Sequence, residues 1–92
     1  MAKIIIPTPL RKFTDNQSTF ETSGSTVREA IHQLTETHGG LAKHLLDADK
    51  NIRSFIRIYV GDDDINTLEK DATAVSDSAV ISIIPAIAGG SF

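Results

Sequence analysis

Cysteine is absent from the 92 residues of this chain. Its absence excludes a disulfide framework, an iron–sulfur cluster, a cysteine nucleophile and any zinc site built on thiolates. A chain of this length forms one domain with one modest core. The apolar fraction of 40% and the charged fraction of 23% are ordinary for a globular domain.

Long apolar runs are absent as well. No stretch approaches the roughly 18 apolar residues of a transmembrane helix, so we predict no membrane partner. Near the N-terminus only Ile4–Ile6 are consecutive isoleucines, which is too short for the apolar region of a signal peptide. We therefore expect a cytoplasmic protein.

Basic clusters are nearly absent, since the net charge is −3 and lysines and arginines are scattered singly except for Arg11-Lys12. A nucleic-acid-binding protein normally carries a basic stripe, so no nucleic-acid partner is predicted. Acidic residues do cluster, at Asp62–Asp64 and at Glu69 with Asp71. They indicate either a solvated turn or a surface that steers the chain toward a basic partner.

A recognisable set of catalytic residues is also missing. His32, His38 and His44 do not share a helix face, and nothing supplies third and fourth ligands to a metal held by His32 and Glu36. Gly39-Gly40 lacks the lysine and the spacing of a phosphate loop. No pair of nucleophile and base is apparent. We predict that the chain is not an enzyme and holds no metal.

The clearest element that is present is a helix over Thr26–Thr37, with Thr26 as N-cap and Glu29 completing a capping box. Gly39-Gly40 is interpreted as its left-handed stop, and Leu41–Leu46 as a shorter second helix. Four apolar residues recur at helical spacing and define the buried stripe. They are Val27, Ala30, Ile31 and Leu34.

Four β-branched runs predict strands, and the segment between the last two is interpreted as irregular, with Ile65 and Leu68 as core anchors. The runs are Lys3–Pro7, Ser18–Thr22, Ser54–Val60 and Val80–Ile84. This order favours an α+β fold, with one main helix on one face of a mixed sheet of four to five strands. The first and last strands are the most uniformly apolar, so we expect them side by side in the centre. The predicted core includes Ile4, Ile6, Ile31, Leu34, Ile58, Ile81 and Ile83.

The most informative segment is the tail, which we place at residues 87–92 after a domain over residues 1–86. Gly89-Gly90 has no Cβ atoms and can slide into a narrow channel, although a frayed terminus is the competing interpretation. Without Ser91 and Phe92 the chain would end in a glycine carboxylate, which a partner enzyme can adenylate. In this interpretation the chain is a substrate for other enzymes, and the preceding strand fixes the tail to the folded domain.

The third strand alternates, which places Phe55, Arg57 and Tyr59 on one face. Phe55 and Tyr59, together with Ile84 if it faces the same way, would form an exposed apolar patch that docks a partner. A half-exposed sheet face without a binding role, or a dimer contact, explains the same pattern.

Four stretches together resemble the ThiS/MoaD family of sulfur-carrier proteins, which have the ubiquitin-like β-grasp fold. They are Thr26–Ala30, Ile58–Val60, Asp64-Ile65 and Ile83–Gly90. The tail is most similar to the CysO-like branch. The resemblance implies that Gly90 is adenylated with ATP by a ubiquitin-activator-like enzyme and converted to a thiocarboxylate, with Gly89 and Ala88 forming the thin arm. A biosynthetic enzyme then accepts the sulfur for a small metabolite, such as cysteine, homocysteine, methionine or a thiocarboxylate natural product. No cofactor is expected on the chain itself.

One departure from the family pattern is the Ser91-Phe92 extension, which leaves Gly90 as an amide. The resemblance implies that a JAMM-type zinc metallopeptidase cleaves between Gly90 and Ser91 before activation. Two alternatives stay open. One is a MoaD-like small subunit of molybdopterin synthase, and the other is a ubiquitin-like protein modifier or interaction module.

Overall fold

The computed structural model of the protein describes residues 1–53 and 56–85. Their five strands form one mixed sheet in the order β2-β1-β5-β3-β4. The strands are β1 (Ala2–Ile5), β2 (Thr19–Thr22), β3 (Ile56–Val60), β4 (Asp63–Asp64) and β5 (Val80–Pro85). The predicted start of the third strand at Ser54 and the predicted domain boundary after residue 86 lie outside the described residues.

The centre of the sheet is a parallel pair. β5 pairs with β1 in parallel, Ile4 opposite Ile81, and with β3 in antiparallel orientation, Ile58 opposite Ile83. The prediction that the first and last strands lie side by side is therefore confirmed. β5 is paired on both edges, as are β1 and β3, and it occupies the central position of the sheet.

The main helix, α1, spans Val27–Thr37, and Thr26 is its N-cap. The Oγ1 of Thr26 accepts a hydrogen bond from the backbone N–H of Glu29 at 3.2 Å. The Glu29 carboxylate accepts in return from the backbone N–H of Ser25 at 2.8 Å and from its hydroxyl at 2.9 Å. These two bonds, the backbone one first, lower the pKa of Glu29. The carboxylate thus reaches back one residue beyond the N-cap.

The helix α1 ends at Thr37 as predicted, but the way it ends differs from the prediction. The helix closes at His38, whose φ is −120°, and Gly39–Leu41 continue as a 3₁₀ turn into α2 (Ala42–Leu45). Gly39 and Gly40 are thus not a left-handed stop. A Cβ on Gly40 would lie 3.1 Å from Cδ1 of Phe13, so at this position glycine permits a close approach.

The core lies between α1 and the inner face of the sheet. All seven residues predicted for it are at most 3% exposed, and Ile65 is 6% exposed. Leu68 was predicted as a core anchor, and this was wrong, since it is 44% exposed. The chain leaves a 3₁₀ turn at Leu68, where φ is −115° and ψ is −132°, and the side chain stays in solvent. No helix in the described part of the chain has the length and apolarity needed to cross a membrane.

Candidate functional site

The candidate site is the outer face of the sheet at the end of β5, the strand that precedes residues 86–92. Side chains of β5 alternate between the two faces, so that Ile81 and Ile83 are 0% and 3% exposed. Ile84 points the other way and is 48% exposed. Such a large apolar side chain in solvent on a rigid strand is available for contact with a partner.

Tyr59 and Ile84 share this outer face. Arg57 is paired directly with Ile84, and Tyr59 with Ser82, and residues paired across strands point to the same side. Tyr59 is therefore a diagonal neighbour of Ile84, and it is half-buried. Phe55, the third predicted docking residue, lies outside the described residues. The structure brings two of the three together, and their docking role stays a prediction.

Two further apolar residues on the outer face were missed by the sequence analysis. The register places Lys3 opposite Val80 and Ile5 opposite Ser82, on the side that Ile84 occupies. Val80 is 41% exposed, and Ile5 is half-buried. The runs that contain them are continuously apolar, so no alternation marks which isoleucine or valine faces outward. Their pairing partners decide it.

An ion pair borders this face. Nη1 of Arg57 donates to Oδ2 of Asp64 at 3.2 Å, with the arginine side chain 56% and the aspartate side chain 15% exposed. The second carboxylate oxygen of Asp64 accepts from the backbone N–H of Asn66 at 2.8 Å. One residue of the acidic cluster thus has a structural role, which was also missed. β4 has only two residues, too few to give a strand pattern.

The remaining predicted site residues, Ala88, Gly89, Gly90 and Ser91, lie outside the described residues. The structure describes the chain as far as Pro85, which is the last residue of β5 and is paired with Ile56. No group of three metal-ligating side chains occurs within residues 1–53 and 56–85. His32 and Glu36 instead line a groove beside α1.

Comparison with known proteins extends this picture. The ThiS family model matches residues 4–90, so the match ends at Gly90. The sulfur carrier protein CysO of Mycobacterium tuberculosis is 35% identical over 89 residues, which cover 95% of this chain and 96% of CysO.

Solved structures agree in fold. The crystal structure of the Amycolatopsis orientalis BexX/CysO complex contains a chain that superposes with a TM-score of 0.86 at 33% identity, covering 98% of this chain and all of the other. The small archaeal modifier protein 1 of Methanosarcina acetivorans superposes with a TM-score of 0.84 over 97% of this chain and 95% of its own length. Its identity of 24% supports the shared fold alone. The five-stranded mixed sheet with α1 and α2 is thus a ubiquitin-like β-grasp domain, and the chain belongs to the ThiS family of small sulfur-carrier proteins, which are not enzymes.

Proposed function

We propose that this sulfur carrier works through Gly90, as a thiocarboxylate formed by a partner enzyme and consumed in the biosynthesis of a small metabolite. The Gly90 carboxylate attacks the α-phosphorus of ATP on the partner, and pyrophosphate leaves. A sulfur donor then displaces AMP from the acyl adenylate and leaves the glycyl thiocarboxylate. The carrier binds no cofactor itself, and ATP is used by the partner. Cysteine, homocysteine or methionine, or a thiocarboxylate natural product, is the proposed destination.

The observation that carries this proposal is the position of β5. The strand that leads to Gly90 is paired on both edges, which gives residues 86–92 a fixed origin. The family match that ends at Gly90 supports this residue as the reactive terminus. A glycine pair is suited to a narrow active site because it has no side chains to exclude.

Activation requires a free carboxylate, and Ser91-Phe92 follow Gly90 in this chain. We therefore place a peptidase before the activating enzyme, and a JAMM-type zinc metallopeptidase is the class that we propose. Hydrolysis of the Gly90–Ser91 amide frees the carboxylate and releases a dipeptide.

Partner docking is assigned to the outer face, at Tyr59 and Ile84 and, beyond the described residues, Phe55. Ile84 stands one residue before the end of β5, so a protein that contacts it is close to the origin of the tail. The solved complex of CysO with BexX supports a stable protein partner for a carrier of this type. We place these steps in the cytoplasm.

Intact-mass analysis tests the proposal directly. The chain is incubated with ATP, a sulfide source and the adenylating enzyme of its own organism, both as residues 1–92 and as residues 1–90. We expect only the shorter chain to exchange one oxygen for sulfur, and the longer one to react after the peptidase is added.

Three results would contradict the proposal. Activation of the full chain with Ser91-Phe92 still attached would remove the processing step. Gly90 in amide linkage to lysines of other proteins would identify a modifier. Stable copurification with a large molybdopterin synthase subunit would identify the MoaD-like alternative.

A further inference from the structure

Two large apolar side chains of the outer face are exposed, and they lie at opposite ends of β5. Ile84 is 48% exposed and Val80 is 41% exposed. Each has a basic residue directly across the sheet, since Arg57 is paired with Ile84 and Lys3 with Val80. Side chains paired across strands point to the same side. Each end of the outer face therefore offers an apolar side chain next to a positive charge.

Phe92, in the segment that follows β5, has the chemistry that fits such a surface. The body of its ring is apolar, and the face of the ring attracts cations, above all the planar guanidinium of arginine. The domain already contains a contact of this kind, since Nζ of Lys12 lies 5.2 Å from the centroid of the Phe13 ring. Phe92 matches both ends of the outer face in chemistry, and distance decides between them.

The position of Phe92 in the chain favours the Ile84 end. Phe92 lies seven residues after Pro85, and a reversal of direction uses a turn of four residues. The other three residues span about 10 Å. Val80 lies about 17 Å from Pro85 along the strand, whereas Ile84 is the neighbour of Pro85. A tail that folds back therefore reaches Ile84 and falls short of Val80.

The strand β5 also extends past its neighbour at this end. β1 ends at Ile5, which is paired with Ser82, so residues 83–85 continue beyond it. A segment that returns beside them therefore meets no strand of the described sheet on that side. Gly89-Gly90 can adopt backbone angles that are closed to other residues, which suits a reversal of direction. Both the sheet order and the tail sequence thus permit the return.

Arg57 is held in a position that receives a ring. Its Nη1 donates to Oδ2 of Asp64 at 3.2 Å, and the second oxygen of Asp64 accepts from the backbone N–H of Asn66 at 2.8 Å. The N–H groups of a guanidinium lie in its plane, so this bond leaves the flat faces available for stacking. The arginine side chain is 56% exposed. An aromatic ring can therefore stack on Arg57 without displacing Asp64.

A weak contact is sufficient because both groups belong to one chain. A connection of a few residues gives an effective concentration on the order of 1 mM. A contact whose dissociation constant between separate molecules is about 1 mM is then formed about half of the time. The expected effects are accordingly modest, and they require a sensitive measurement.

We propose that Phe92 folds back onto the outer face, with its ring against Ile84 and Arg57, and that this contact makes the uncleaved chain autoinhibited. Ile84 is also the residue to which partner docking is assigned, so the contact covers the docking face. Removal of Ser91-Phe92 then has two effects, since it frees the Gly90 carboxylate and uncovers Ile84. The inhibitory consequence rests on the proposed function, whereas the contact itself does not.

The contact is tested on the protein alone, by NMR of the isoleucine methyl groups. Residues 1–92, residues 1–90 and the full-length variant Phe92→Ala are compared, and all three retain the core. A ring that lies over Ile84 should move its δ1 methyl resonance upfield in the first chain only. Ile83 is the matched control, because it is 3% exposed on the inner face and should give one resonance position in all three.

The role of Arg57 is tested by two substitutions in the full chain. Arg57→Gln should move the equilibrium about threefold toward the open form, the size expected for one exposed cation–π contact. The Ile84 methyl resonance should then move toward its position in residues 1–90. Lys3→Gln removes the cation at the Val80 end of the same face and should leave the resonance unchanged.

Autoinhibition is tested as the affinity of the activating enzyme, without ATP, for the full chain and for Phe92→Ala. We expect the variant to bind about twice as tightly, because a contact that is half formed leaves half of the molecules competent to dock. The two chains have the same length, so the difference reports the ring alone. Equal affinities would contradict autoinhibition.

Three NMR results would overturn the contact itself. Identical Ile84 resonances in residues 1–92 and 1–90 would mean that Phe92 does not reach the face. An upfield shift that grows with protein concentration would place the ring on a second copy. Equal effects of Lys3→Gln and Arg57→Gln would mean that charge acts without regard to position. The NMR measurements use neither ATP nor the activating enzyme, so failure of the contact is distinct from failure of the proposed function.

Discussion

The two faces of the sheet are built from adjacent residues of the same strands, yet they differ in how far their side chains are exposed. On the inner face Ile83 is 3% exposed and belongs to the core cluster shared with α1. On the outer face its neighbour Ile84 is 48% exposed. The same residue type therefore stabilises the fold on one side and is available for binding on the other. The comparison indicates that the face on which a residue lies decides whether its substitution changes stability or binding.

The largest expected effect is a difference in protein stability between substitutions on the inner and the outer face. Ile83→Ala should lower the free energy of unfolding by about 2–5 kcal/mol, because it removes buried methyl groups and leaves a cavity. Ile84→Ala should cost about 1 kcal/mol or less, since half of its surface is already in water. Denaturant unfolding monitored by circular dichroism measures both. Equal losses of unfolding free energy in the two variants would mean that Ile84 is buried in solution.

The next largest effect is on partner binding at the outer face. Ile84→Thr keeps a β-branched side chain and removes the apolar tip, so the fold should hold while kcat/KM of the activating enzyme falls about tenfold, as for an interface hot spot. Val80→Thr is the matched control, because Val80 is 41% exposed on the same face at the opposite end of β5. The docking assignment fails if both variants are activated equally well.

A smaller effect concerns the ion pair at the edge of the outer face. A double-mutant cycle with Arg57→Gln and Asp64→Asn should give a coupling of about 0.2–1 kcal/mol in unfolding, because the arginine is largely solvated. Asparagine at position 64 keeps an oxygen for the N–H of Asn66. The coupling should shrink in high salt. A coupling that salt leaves intact would mean a buried pair.

The smallest effect is a pH dependence. His44 has a folded-state pKa below its ordinary value of 6.5. The unfolded chain therefore binds the proton more readily, and stability should fall as the pH drops through about 6.5. His44→Gln should flatten this part of the profile and leave the loss below pH 4.5, where the lowered pKa of Glu29 acts. If the stability of the His44→Gln variant kept the same slope near neutral pH, His44 would not be the source of this pH dependence.

The sequence predicted the inner face well, because burial leaves a periodic signal. The helix over Val27–Thr37 has both a cap and an apolar stripe, and each marks it independently. Ile4 in β1 and Ile6 just after it are buried, whereas Ile5 between them is half-buried, so two of these isoleucines reach the core. The family resemblance added the β-grasp fold, and the comparisons confirmed the family.

The outer face and the groove were less accessible to sequence reasoning. Val80 and Ile5 lie in runs of equal hydrophobicity, and only strand register shows which residues face outward. The groove is lined by both His32 and Lys50, which belong to different parts of the chain, and no local sequence pattern predicts that they line one groove. Gly39-Gly40 was misinterpreted because a close approach to Phe13 and a positive φ favour the same residue type.

The place of β5 in the sheet has a consequence for how the protein is made. The central strand is the last of the five strands that the structure describes, and it pairs with the first. A nascent chain that stops before residue 80 therefore lacks the strand that joins its two halves, and its β1 and β3 keep unpaired edges. Long-range pairing of this kind also delays folding until late in synthesis. A compact domain therefore forms only after synthesis has passed the strand that leads to residues 86–92.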